Sequence, residues 1–287
     1  MKLPIQPEFF TLHGVRLAIY EQAGADPPIL FVHATGFHAR CWNQIIARVP
    51  GRRSIAVDMR GHGLSDKPDP PYTWSPFGKD VAALVQAMGL RGATGVGHSM
   101  GGHSMVLAAS IVPDAFKELI LLDPVIMPRE RYRGQRTEPH FARKRRNEWA
   151  SPDEMFERFS GRPPFVNWDT EVLRDYCNHG LLRAPIGYTL ACPPEVEASI
   201  YEASGLDDAN LYGKLENVGA AVTVVRSARV MGEGGPAADM GASPTAPDLA
   251  ERFQRGEDVP THYSHFIPME APEYVADLIN ESPNRAL

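Results

Sequence analysis

The chain has 287 residues, 43% of them hydrophobic and 22% charged, with a net charge of −6. That length suits one α/β core carrying an insertion, and the composition is that of an ordinary enzyme. The acidic balance argues against nucleic acid or an anionic membrane as partner, and no apolar run approaches the roughly 20 residues of a membrane span. The stretch Met1-Lys2-Leu3-Pro4-Ile5 lacks the apolar core of a secretory signal, so a cytoplasmic location is expected. Cys41, Cys177 and Cys192 stand without metal-ligand spacing and read as reduced thiols. Oligomeric state leaves no trace in the sequence.

Phe9 to Leu12 and Val15 to Gln22 flank His13-Gly14 and predict a β-hairpin at a sheet edge. Ile29 to Val32 is continuously apolar, as a central parallel strand covered on both faces must be. It ends in His33-Ala34-Thr35-Gly36-Phe37, and open α/β sheets bind ligands at such strand ends. Trp42, Ile45, Ile46 and Val49 follow at helical spacing, then Ser54 to Asp58 as another buried strand. The glycine-rich loop Asp58-Met59-Arg60-Gly61-His62-Gly63-Leu64-Ser65 has no phosphate-loop lysine behind it, which speaks against nucleotide binding. Ser75 as N-cap and Pro76 in the first turn predict a helix start; Val81, Leu84, Val85 and Met88 form its buried stripe, and Gly89 stops it.

The chain is organised around Gly97-His98-Ser99-Met100-Gly101. A β-prone stretch, Ala93 to Val96, precedes it and a helical segment with Met105, Val106 and Leu107 follows, so Ser99 stands at a strand-to-helix junction. A serine in so tight a turn is forced into an unfavourable backbone conformation, and flanking glycines keep side chains out of the neighbouring strand and helix. Its hydroxyl is then exposed at the positive end of a helix, beside the free N–H of Met100.

Leu119 to Leu122 is a further buried strand closing on Asp123-Pro124. From about 128 to 217 the composition changes to more charge, more aromatics and no clear strand, which predicts a mostly helical lid inserted into a core of residues 1–127 and 218–287. Tyr132, Phe141, Trp149, Phe156, Phe159, Phe165, Trp168, Tyr176, Tyr188 and Tyr201 are spread through it; most should build the lid's own core, and a minority should line a pocket for an apolar substrate group. The basic run Arg143-Lys144-Arg145-Arg146, flanked by Glu138 and Glu148, reads as a solvated helix face. Ala221 to Val225 resumes the core, Met231 to Ser243 is a glycine-rich loop, Pro244 to Phe253 is compatible with a helix, and Asp258 to Tyr263 with the last strand. His265 and a helix from Pro272 to Ile279 complete the chain, with Val275, Leu278 and Ile279 facing inward.

In this order, His-x-x-Gly after one strand, Asp-x-Arg-Gly-His-Gly-x-Ser after the next, the serine elbow, a lid, and a late His-Phe-Ile-Pro-Met-Glu, the sequence resembles the α/β-hydrolase superfamily over nearly all of its length except the lid. The resemblance implies an eight-stranded, mostly parallel sheet flanked by helices, with an inserted mainly helical cap, and the chain order nucleophile, acid, histidine. It makes Ser99 the nucleophile and His265 the general base, with His262 the competitor; a serine hydroxyl needs an imidazole within reach to take its proton. Ser264 replaces the glycine often found before that histidine. Most relatives carry the acid after the strand here read as Ala221 to Val225, where this sequence has Arg226-Ser227-Ala228-Arg229. Some, including haloalkane dehalogenases, take it from the strand after the elbow helix, which makes Asp123 the expected acid, with Glu233, Asp239 and Asp248 as alternatives. The N–H groups of Thr35 and Met100 are the expected oxyanion hole; Ala34 stands where the family usually has glycine, and the Thr35 hydroxyl is a further donor.

His33, His98 and Trp168 are the candidate substrate-facing side chains, although His33, His62 and His98 suit loop hydrogen bonding better than proton transfer. The expected activity is hydrolysis of a small carboxylic ester or lactone with an apolar group through an acyl-enzyme, on a small-molecule substrate and without metal or organic cofactor. Carbon–carbon bond hydrolysis, acyl transfer and non-catalytic binding in the same pocket are the rivals. An aspartate nucleophile, which epoxide hydrolases and dehalogenases need, is absent from the elbow.

Overall fold

The computed structural model describes residues 3, 6–134, 138–229 and 241–285. It opens with a hairpin, β1 (Glu8–Leu12) and β2 (Val15–Gln22), turned by His13 at φ 50° and Gly14 at φ 75°. Two successive positive φ angles match the right-handed twist of the strands they join. Then come β3 (Ala25–Val32), β4 (Arg52–Asp58), β5 (Ala93–His98) and β6 (Phe116–Leu122). After the insertion, β10 (Ala221–Ser227) and β11 (Gly256–Thr261) complete an eight-stranded sheet ordered β1-β2-β4-β3-β5-β6-β10-β11. The β1/β2 and β2/β4 pairs are antiparallel and the other five are parallel. Ile29, Leu30, Phe31 and Val32 are all fully buried, because helices cover both faces of a central parallel strand.

The connecting helices are α1 (Asn43–Ile46), extended at its start by a 3-10 turn at Ala39–Trp42, α2 (Ser75–Ala87) and α3 (Met100–Ile111); Pro272–Arg285 is the C-terminal helix. The N-cap of α2 differs from the sequence expectation. Ser75 is the first helical residue and Trp74 the cap, and the Asp208 carboxylate, 133 residues away, accepts from Trp74 N–H at 2.6 Å and Ser75 N–H at 2.8 Å. A carboxylate brought from elsewhere satisfies the orphan donors, so the local capping residue is not needed. Pro244 to Phe253 also departs from expectation, with only a 3-10 turn at Ala250–Arg252.

The insertion between β6 and β10 carries α4 (Pro152–Ser160), α5 (Thr170–His179) and α6 (Pro194–Glu202). It also holds a three-stranded antiparallel sheet, β7 (Glu148–Trp149), β8 (Leu181–Arg183) and β9 (Tyr188–Leu190), ordered β7-β9-β8. Strands of two or three residues are too short to show an alternating pattern, so they leave no signature in the sequence. The insertion is tied to the core by buried polar contacts: Gln44 Nε2 donates to Asp175 at 2.7 Å, Trp74 Nε1 to the Ile200 carbonyl at 2.9 Å, and His103 Nε2 to the Ala209 carbonyl at 2.9 Å. Among the described residues no helix is long and apolar enough to cross a membrane.

Candidate active site

β5 runs straight into α3, and Ser99 between them has φ 57° and ψ −116°. That conformation is strained for any residue with a side chain, and the surrounding packing holds it. A Cβ at Gly101 would lie 2.1 Å from the Val32 carbonyl oxygen, and one at Gly97 2.6 Å from the Gly101 carbonyl oxygen. Only glycine lets β5, β3 and α3 approach this closely. Ser99 N–H donates to the Leu122 carbonyl at 3.0 Å, which fixes the elbow to the end of β6.

His265 follows β11, and its Nε2 lies 3.1 Å from Ser99 Oγ. Its Nδ1 donates to Asp123 Oδ2 at 2.6 Å. Because a carboxylate can only accept, the proton between them sits on Nδ1, leaving Nε2 to accept from the serine hydroxyl. Asp123 is fully buried, at φ 46°, just past β6. Its second oxygen, Oδ1, accepts from Ser227 N–H at 3.2 Å and Ser243 Oγ at 2.5 Å; Thr245 Oγ1 lies 3.1 Å from it but has a shorter bond, at 2.7 Å, to the Pro124 carbonyl. Ser227 stands at the end of β10, so its backbone supports a carboxylate supplied by the next strand. The backbone of His265 is held as well: its N–H donates to the Gly241 carbonyl at 2.7 Å and its carbonyl accepts from His98 Nε2 at 2.8 Å.

The loop after β3 is held by two neighbouring histidines, their rings 5.0 Å apart and tilted by 60°. His33 donates from Nδ1 to the Ala34 carbonyl at 2.7 Å and accepts at Nε2 from Met59 N–H at 3.0 Å. His62 donates from Nδ1 to the Arg60 carbonyl at 2.9 Å and accepts at Nε2 from Gly36 N–H at 3.0 Å. Both rings need one bare nitrogen, and burial keeps them neutral: the pKa of His33 falls well below 6.5 and that of His62 to about 4. The amides of Thr35 and Met100 have no acceptor among the described residues. Asp58 anchors the neighbouring loop, accepting from the N–H groups of Ala39 at 2.7 Å and Leu64 at 2.8 Å.

Beside this group lies a cavity of about 300 Å³ whose core side is Thr35, Phe37 and Phe266, the last of them next to His265. Its other walls come from the insertion, including Trp149, Phe159, Phe165, Trp168 and Tyr176. Phe37 stacks on Trp168 at 5.7 Å and meets the edge of His98 at 5.9 Å, while Phe159 and Phe165 lie parallel at 4.3 Å. An apolar wall beside polar groups suits a substrate with a hydrophobic body. Among the described residues, no three His, Cys, Asp or Glu side chains converge in a way that could hold a metal ion.

Residues 29–278 match the model of the family described as the alpha/beta hydrolase family. The chain belongs to that family. This alpha/beta hydrolase is 35% identical over 103 residues to the 2-(acetamidomethylene)succinate hydrolase of Mesorhizobium japonicum, covering 36% of this chain and 37% of the relative. It is 28% identical over 118 residues to an esterase of Mycobacterium tuberculosis, covering 41% of this chain and 39% of the relative. The aligned segments therefore span little more than a third of these curated relatives. Its fold is similar to the crystal structure of E-2-(acetamidomethylene)succinate hydrolase, with a TM-score of 0.75 and 21% identity over 97% of this chain and 98% of the other.

In this alpha/beta hydrolase, the three side chains expected at the reaction centre lie together, and Thr35 and Met100 flank them. His262 is exposed, its ring tilted against that of Tyr263 at 4.1 Å. Of the alternative acids, Asp248 pairs with Arg252 on the surface, while Glu233 and Asp239 lie outside the described residues. Two of the substrate-facing expectations are corrected. His33 and His98 are buried behind the loop and the elbow, their hydrogen bonds turned to backbone, and only Trp168 lines the cavity. Of the basic run, Arg143, Lys144 and Arg146 are exposed as expected, Arg143 paired with Glu202 and Arg146 with Glu154; Arg145 departs from the expectation, turned inward to Glu197. Sequence reasoning missed Ser227, Ser243 and Thr245. Hydroxyl residues next to a glycine-rich loop carry no local signal of the carboxylate they will meet.

Proposed function

We propose that the chain is a serine hydrolase acting on a small carboxylic ester or lactone with an apolar group. Ser99 Oγ attacks the carbonyl while His265 Nε2 takes its proton; the buried Asp123 carboxylate balances the imidazolium, and the N–H groups of Thr35 and Met100 receive the oxyanion. His265 then hands the proton to the leaving alkoxide. Water, activated by the same imidazole, frees the acyl-enzyme. The chemistry needs neither metal nor organic cofactor. The observation that carries this reading is the Asp123–His265–Ser99 chain of hydrogen bonds, 2.6 Å and 3.1 Å, ending on a serine at φ 57°.

The test is turnover of p-nitrophenyl butyrate by the native protein and three variants. Ser99→Ala and His265→Ala are expected to lose at least about 10³-fold in kcat, and Asp123→Asn about 10²- to 10⁴-fold, with cooperative unfolding retained. An Asp123→Asn enzyme of nearly full activity would overturn the assignment of the acid. A second reading keeps the same serine for carbon–carbon bond hydrolysis or acyl transfer; the name of the relative that hydrolyses 2-(acetamidomethylene)succinate points away from a simple ester without naming either chemistry. Slow p-nitrophenyl ester turnover with rapid phosphonylation of Ser99 by a fluorophosphonate, fluoride leaving, would move that reading ahead.

A further inference from the structure

The same cavity holds three arginines, Arg145, Arg146 and Arg158, and a single carboxylate, Glu197. Arg145 is paired with Glu197 and donates from Nη2 to Tyr176 Oη at 3.0 Å. A guanidinium has five N–H donors, so three of them have no acceptor among the described residues. Arg146 is neutralised from outside the cavity by Glu154 at 2.6 Å. Arg158, one helical turn after Glu154 on α4, lines the cavity with no hydrogen bond or ion pair within 4 Å among the described residues. Glu154 is shared between Arg146, which it pairs, and Arg158, which it attracts only at longer range, so these groups leave a net positive charge and a set of free guanidinium donors beside an aromatic chamber.

This end of the cavity is close to the expected oxyanion loop. A Cβ placed on Gly36 would lie 2.9 Å from Glu197 Oε1 and 3.3 Å from Arg145 Nη1, and Gly36 directly follows Thr35. We propose that Arg145 and Arg158 form a carboxylate-binding subsite, so that the substrate carries one free carboxylate on an apolar body a short distance from the scissile carbonyl. The inference rests on the serine-hydrolase reading and narrows it. Arginine's planar fork matches a carboxylate in two parallel hydrogen bonds, which makes Arg145 and the more exposed Arg158 suited to hold one at the cavity's edge. A monoanion suits the site better than a phosphate dianion, because Glu197 is already there to repel a second negative charge.

The test measures binding and turnover separately. Binding to the Ser99→Ala protein is measured calorimetrically for two pairs of esters: phenyl hydrogen glutarate against phenyl hexanoate, and 3-carboxyphenyl butanoate against phenyl butanoate. These pairs place the acid on either side of the ester. In at least one pair the acid is expected to bind tenfold or more tightly than its neutral partner at 50 mM salt, and the preference should shrink several-fold at 0.5 M. Adding Arg158→Gln should cut the acid-to-neutral ratio about tenfold, with Arg158→Lys restoring part of it. Because Arg145→Gln alone would strand Glu197, that residue is tested as Arg145→Gln with Glu197→Gln. A ratio near one in both pairs, or a ratio that neither set of substitutions moves, overturns the subsite. If the native enzyme hydrolyses both members of each pair equally, the hydrolase reading stands and the subsite falls. If the acids bind preferentially but no ester acylates Ser99, the subsite stands and the ester reading falls.

Discussion

At the scale of single residues, the two oxygens of Asp123 have separate duties. Oδ2 accepts from His265, and Oδ1 accepts from the Ser227 N–H and the Ser243 hydroxyl, while the Thr245 hydroxyl, 3.1 Å away, has its shorter bond to the Pro124 carbonyl. A hydrogen bond to a charged group contributes about 1.5–3 kcal/mol, enough to hold the carboxylate plane in line with the imidazole. Under the proposed mechanism Ser243 is therefore a positioning residue that works through Asp123. Ser243→Ala is expected to lower kcat roughly tenfold while KM changes less than about twofold, in steady-state kinetics on p-nitrophenyl butyrate, and Ser243→Thr should recover part of the loss. A change confined to KM, or no recovery with threonine, would speak against the arrangement.

At the scale of elements, the insertion and the core share their end groups. α2 begins against Asp208, which lies in the insertion and caps two N–H groups of a core helix. Asp208→Ala should cost about 1 kcal/mol of stability, read as a lower urea midpoint at unchanged slope, since a lost cap removes contacts without changing the surface exposed on unfolding. A larger loss accompanied by a changed slope would mean instead that the insertion detaches from the core. The elbow helix α3 shows the opposite dependence: its glycines are dictated by the strands beside it, Gly101 by β3 and Gly97 by α3 itself. There the sequence alone is a faithful guide, because the steric demand is local and recurs wherever a nucleophile stands in such a turn.

At the scale of the whole molecule, the fold buries five histidines as neutral rings. Desolvation lowers the pKa of His38 to about 3 and of His62 and His103 to about 4, and places His33 and His98 well below 6.5. Between the folded values and about 6.5, the unfolded chain binds protons that the folded chain refuses, so stability falls as pH falls through that window. At pH 5 each of His62 and His103 should account for on the order of 1–2 kcal/mol of destabilisation relative to pH 7. Urea midpoints at pH 7 and pH 5 check this. The midpoint should drop on acidification, and His103→Gln should reduce the drop; equal midpoints for the native chain at both pH values would exclude the buried neutral state.

How much of this was legible in advance follows from the range of each interaction. The order of strands and the elbow could be read because buried strands leave continuous apolar runs and strained turns demand glycine, both local signatures; His265 could be named only through the resemblance of the sequence that follows it to a family motif. Asp123 could be named only as one carboxylate among several, since its partner stands 142 residues away. The hydroxyls around it, the Asp208 cap and the two- and three-residue strands of the insertion left no readable pattern. Within the basic run only Arg145 departs from a solvated face, for the same reason: whether an arginine faces water, a glutamate or a cavity depends on what folds over it. By itself the sequence determined the sheet, the elbow and the family, which local sterics and burial dictate. Only the tertiary structure decided which carboxylate meets the imidazole and which cations enter the cavity, because those contacts join segments that never neighbour one another along the chain.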